Sequence, residues 1–165
     1  EKIQANYKSH EEVVCDAYST ETAISRLKMA LLCTVTKAGK ESEIGNICLK
    51  IDWLYQDLAD ELEENSSDYE SKKENYLAEA HNFAMNAYEH LSKARMEEEF
   101  PIAGMNETTL DYLLSYLGYV KGEYQTAMQY LSGVVSTRGI SPRLKAKCLE
   151  LKELLNQKLH ASADQ

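Results

Sequence analysis

The sequence predicts an all-α fold of about seven helices arranged as antiparallel pairs. Three observations predict it. Two prolines and seven glycines in 165 residues are too few for a sandwich or barrel built on tight turns. Apolar residues recur every three or four positions along stretches that contain no breaker. The polar breaks between those stretches are short and rich in capping residues, which makes successive helices antiparallel neighbours.

The first helix is expected over Ile3 to Ala17. Ser19 or Thr20 caps a second, with Glu21 in its first turn and Ala23, Leu27, Ala30, Leu31 and Val35 as its apolar positions, ending near Gly39. A third starts near Ser42 and carries Ile44, Ile47, Cys48, Ile51, Tyr55, Leu58 and Leu62 on one face. The segment Asn65-Ser66-Ser67-Asp68 is a break with capping chemistry. The fourth helix then runs from about Asp68 to Glu98 with the stripe Leu77, Ala80, Ala84, Ala87, Leu91 and Ala94, whose small residues allow a neighbour to approach closely. Pro101 to Asn106 is a loop that ends on an N-cap candidate. The fifth helix reaches Lys121 and stops at Gly122, and the sixth starts near Glu123 and stops at Gly139. Ser141-Pro142 opens the seventh as N-cap and first helical residue, with Leu144, Cys148, Leu151 and Leu155 on one face.

Charge excludes some functions. A formal net charge of −9 disfavours nucleic acid and anionic membrane surfaces, both of which reward positive charge. No apolar run approaches the roughly 18 residues of a membrane span. The chain opens at Glu1 without a methionine and shows no signal peptide, so residues 1–165 are expected to be one helical domain, a fragment of a longer protein. Four cysteines, Cys15, Cys33, Cys48 and Cys148, form no CxxC pair. Cys33, Cys48 and Cys148 sit among apolar residues and are expected as buried free thiols, which suits a reducing, cytoplasmic compartment.

The stretch Leu114 to Leu131 resembles one tetratricopeptide repeat. Leu114 matches in helix A, Gly122-Glu123-Tyr124 at the turn, and Ala127, Leu131 and Val134 in helix B. The small Ala127 permits close packing of A on B. Gly118 stands where that family has an aromatic, and Gly139 where it has proline. Echoes of the helix B spacing at Ala23-Leu27-Ala30 and Ala80-Ala84-Ala87 lie 57 and 47 residues apart from one another and from Ala127, against a standard period of about 34. The resemblance implies degenerate repeats in a right-handed superhelix. A second resemblance covers most of the chain. Ala30-Leu31-Leu32-Cys33, followed by Glu43 to Tyr55, looks like the helical region of an uncharacterised bacterial family, domain of unknown function 2225. That family resembles a Cys-rich, zinc-binding N-terminal module joined to helical repeats. No Cys-rich module is present here, so no metal site carries over, and the resemblance implies no activity.

The candidate binding residues are Tyr112, Tyr116, Tyr119, Trp53 and Leu49. On the fifth helix Leu110, Leu113, Leu114 and Leu117 form one stripe, and the three tyrosines form another on nearly the opposite face. In the tetratricopeptide arrangement these tyrosines line the groove of the A helices, where they would anchor a peptide. The competing reading packs them against the third or fourth helix. Trp53, with Leu49, lies off the Ile stripe of the third helix and reads either as an interface anchor or as core. The acidic run from Asp57 to Glu79 and the basic residues Arg143, Lys145, Lys147, Lys152 and Lys158 read first as solvated faces, the latter as a repeat-array cap.

Chemistry-bearing motifs are absent. His10, His81, His90 and His160 form no HExxH and no Cys–His zinc spacing, and neither GxSxG, Walker A nor GxGxxG occurs. The sequence therefore points to a non-enzymatic scaffold without metal or cofactor. Its expected partner is another protein or peptide, with a homodimer or docking onto a further domain as the alternative.

Overall fold

Local capping chemistry sets where the helices begin and end. The computed structural model describes residues 19–163, and the helix expected over Ile3 to Ala17, with Cys15, lies outside them. Six helices follow in order: α1 (Thr20–Thr36), α2 (Glu41–Asp60), α3 (Tyr69–Glu97), α4 (Glu107–Lys121), α5 (Tyr124–Ser136) and α6 (Pro142–Ala163). No strand occurs among the described residues. Ser19 Oγ accepts the Thr22 N–H and Asn106 Oδ1 accepts the Thr109 N–H, so both expected N-caps are in place. Ser141 Oγ accepts the Leu144 N–H just ahead of Pro142. Gly122 ends α4 at φ +94°, a left-handed conformation that glycine adopts without strain.

The chain divides between Ala87 and Tyr88, inside α3, into two compact units. In the first, α1 packs on α2. Ile24, Ile51, Tyr55, Leu58 and Ala80 form the core, and Leu27, Leu31, Ile47, Leu54, Tyr76 and Phe83 pack around it. The packed face of α1 is thus Ile24-Leu27-Leu31. Ala30, Val35 and Cys33 are exposed, contrary to the expectation for all three, because the face of α1 that meets α2 spans only part of its circumference. Leu77 on α3 is also exposed, while Ala80, Ala84, Ala87, Leu91 and Ala94 are buried as the stripe requires.

In the second unit α4 and α5 form a close pair and α6 packs on both. Ala127, Leu131, Val134, Cys148, Leu151 and Leu155 form a sealed core. Gly118 explains its own departure from the repeat pattern. A Cβ there would stand 3.3 Å from both Ala127 Cβ and the Tyr88 hydroxyl. The bulk of an aromatic at this point comes from Tyr88, which is 6 % exposed, and Gly118 yields the space. Tyr88 donates to Glu123 Oε2 at 2.9 Å, and Lys121 pairs with the other oxygen of Glu123 at 2.9 Å. Ser115 Oγ donates to the Ala127 carbonyl at 2.7 Å, which links α4 to α5 through a buried bond.

Candidate functional site

Helix α4 presents its tyrosines unequally. Leu110, Leu114 and Leu117 are fully buried, so the Leu stripe sets the rotation of the helix. Tyr112 and Tyr119, on nearly the opposite face, pack half-buried against the α5–α6 core cluster. Their packing partners therefore include the two helices that follow, which the competing sequence reading did not name. Tyr119 also meets Tyr124, with ring centroids 6.0 Å apart. Burial pushes the Tyr112 hydroxyl pKa up, and the proximity of Cys148, Tyr116 and Glu150 adds to the shift. Tyr116, one turn from each neighbour, remains 42 % exposed. The result is a ridge whose two edges are pinned and whose centre faces solvent.

On α2 the other two candidates part company. Leu49 is 2 % exposed and belongs to the core, so it cannot serve as a surface anchor; Trp53, one turn on, is 51 % exposed. Helical spacing puts both on one side of α2, and only their neighbours separate them.

Sequence reasoning missed a charged cluster in the second unit. Arg95 Nε donates to Asp111 Oδ1 at 2.9 Å, and Arg95 Nη2 donates to Glu107 Oε1 at 2.8 Å. The Arg95 guanidinium also lies 5.1 Å from the Phe100 ring centroid. The hydrogen bond to Asp111 holds the guanidinium pKa up against its partial desolvation. A cavity of about 430 Å³ opens beside this cluster, bounded also by Gln129, Tyr130 and Gly133. One signal was available: Asp111 is a lone charge between Leu110 and Tyr112 in an apolar stretch, and such a residue needs a partner when buried.

The family match runs over residues 1–155, which takes in α1 to α5 and most of α6. The chain belongs to the DUF2225 family. The family is described as an uncharacterized protein conserved in bacteria, so membership brings no activity with it. No curated protein and no solved structure matches the chain.

In this DUF2225 chain the buried thiols are poor nucleophiles. Burial pushes Cys48 up to about 11 and raises Cys148, so both stay protonated at neutral pH. Asp52 is 4 % exposed and accepts from Gln56 Nε2 at 2.9 Å. Burial raises its carboxyl pKa, opposed by that bond and by His81. Among the described residues no group of three His, Cys, Asp or Glu side chains is placed to hold a metal ion, and no helix is long and apolar enough to cross a membrane.

Proposed function

We propose that this DUF2225 chain is a non-catalytic scaffold, acting in the cytoplasm, that binds another protein or peptide through the tyrosine ridge of α4. The observation that carries this reading is the contrast along that helix: Tyr112 and Tyr119 are fixed by packing while Tyr116 is 42 % exposed between them. An aromatic anchor held in place before binding loses little conformational freedom on contact, and its hydroxyl adds a directional bond. The tetratricopeptide resemblance supports the same reading, since Ala127 is fully buried at the turn-linked α4–α5 pair and Gly118 allows the close approach.

Affinity capture from a bacterial lysate tests it, with the parent chain beside a Tyr116→Ala variant shown to be folded by circular dichroism. A protein held by the parent, lost by the variant, and bound in a direct calorimetric titration supports the ridge. Equal retention by both removes it. Tyr116→Ala is expected to change stability by less than about 0.5 kcal/mol, because the site is half exposed.

A second reading, self-association or docking onto a further domain, draws on α1. Met29, Leu32 and Val35 there are 63 %, 59 % and 53 % exposed. Light scattering across a concentration series separates the readings: a mass that stays monomeric counts against self-association.

A further inference from the structure

Helices α5 and α6 enclose an apolar cavity of about 190 Å³, lined by Met128, Leu131, Ser132, Val135 and Ser136 of α5 and by Lys152 of α6. No α4 residue lines it, so it is separate from the tyrosine ridge. Leu131 is buried, and Val135 is 45 % exposed. Ser132 donates to the Met128 carbonyl and Ser136 to the Gly133 carbonyl, which turns both hydroxyl protons back into α5. Pockets for drug-sized ligands run from ~300 to 1,000 Å³, so this volume suits a single apolar side chain.

The charge here has one sign. Among the described residues Lys152 is the one charged group lining the cavity, and α5 carries no charged residue from Tyr124 to Ser136. No ion pair joins Lys145 or Lys152 to a carboxylate among the described residues. The acids of α6 lie elsewhere on the helix: at 100° per residue Glu153 points about 100° and Glu150 about 160° away from Lys152. Glu150 instead acts on Tyr112. The same spacing sets Lys145 about 20° and Leu149 about 60° from Lys152, in one row. Leu149 is 57 % exposed. The groove thus offers apolar surface beside two ammonium groups set two helical turns apart, roughly 10 Å along α6.

We propose that this α5–α6 groove receives an acidic amphipathic helix of a partner protein, with one apolar side chain in the cavity and carboxylates of its flank on Lys152 and Lys145. A groove between two helices takes a third along its length, and the seven-residue interval from Lys145 to Lys152 matches two turns of such a helix. The proposal shares with the scaffold reading only the class of ligand, because ridge and groove have no residue in common.

Panning the full chain against a phage-displayed library tests it, the library being an alanine-rich helix with randomised surface positions. Enriched helices are expected to carry Leu, Ile, Met or Phe with Asp or Glu three or four positions away. They should bind more weakly at high salt and move the amide resonances of Val135, Leu149 and Lys152. Lys152→Glu should weaken such a helix roughly tenfold, and a helix whose acids are changed to lysine should regain affinity for that variant. Absence of binders, binders without acidic residues, or equal binding to the parent and to Lys152→Glu overturns the proposal. Tyr116→Ala should leave the affinity unchanged, so failure at the ridge and failure at the groove are read separately.

Discussion

Water still reaches the rim of the first unit's core, while the second unit's core is aliphatic and closed. In the first, Tyr55 lies 6.0 Å from Phe83 and 6.3 Å from Tyr76, and Lys28 sits over the Tyr55 ring while donating to its hydroxyl at 2.6 Å. That bond joins α1 to α2, and Thr20 at the start of α1 donates to Glu61 just past the end of α2 at 3.0 Å. In the second, Arg95 bonds to Asp111, Tyr88 to Glu123 and Ser115 to the Ala127 carbonyl, the last of these fully buried. An apolar core fixes that two helices pack, but a directional bond fixes their register. Both units have such bonds, but the second has one that is fully buried, and it is the unit that carries the tyrosine ridge. Local opening free energies should therefore be lower in α1 and α2 than in α4 and α5, which amide hydrogen exchange measures directly.

The largest expected effect comes from the sealed core. Leu114→Ala removes a fully buried side chain and should cost about 3 kcal/mol, with lost protection concentrated in α4 and α5. If exchange quickens equally in α1, the two units open together and the contrast between them fails. Arg95→Ala comes next. It leaves Asp111, whose side chain is 12 % exposed, without its counter-ion, and should cost about 2 kcal/mol in urea unfolding at neutral pH. Arg95→Lys should restore only part of this, because an ammonium cannot serve both carboxylates in the guanidinium's planar geometry.

Acid separates the units in opposite directions. Lys121 first, then Tyr88, hold the Glu123 carboxyl below its usual range. Its contribution is present above the unfolded glutamate pKa and is lost as pH falls through the lowered folded value. Tyr88→Phe should thus cost about 1 kcal/mol at neutral pH and less in acid, seen in urea midpoints at the two pH values. Asp52 in the first unit has a raised pKa from burial. Its folded form holds the proton more tightly than the unfolded form, so the associated stability is full below the unfolded aspartate pKa and is lost as pH rises through the folded one. Asp52→Asn should therefore stabilise α2 at neutral pH, a gain that closes in acid. Exchange of the α2 amides at the two pH values checks it, and a destabilising Asn at neutral pH would mean the charged form is the favoured one.

Helix-level features were legible because they depend on near neighbours in the chain. Asn106 caps within three residues, Gly122 adopts its left-handed turn because no Cβ opposes it, and Ser141-Pro142 opens α6 as local sterics dictate. Periodicity also located the Leu face of α4 and the Ala stripe of α3. It did not locate the edges of burial. Leu49 and Trp53 share one side of α2, and Leu31 and Val35 were both expected among the apolar positions of α1, yet Leu49 is buried and Leu31 packs on the core while Trp53 and Val35 are exposed.

What the sequence determined by itself was the all-α class, most helix ends and the presence of a tyrosine stripe opposite a leucine stripe, since these follow from local sterics, capping bonds and a 3.6-residue period. The tertiary structure alone decided that Tyr88 fills the space Gly118 leaves, that Arg95 reaches Asp111 across 16 positions, and that Tyr116 stays open while its neighbours close. Those outcomes depend on which helix lies beside which, and side-chain bulk and charge are matched there between residues that spacing along the chain does not relate.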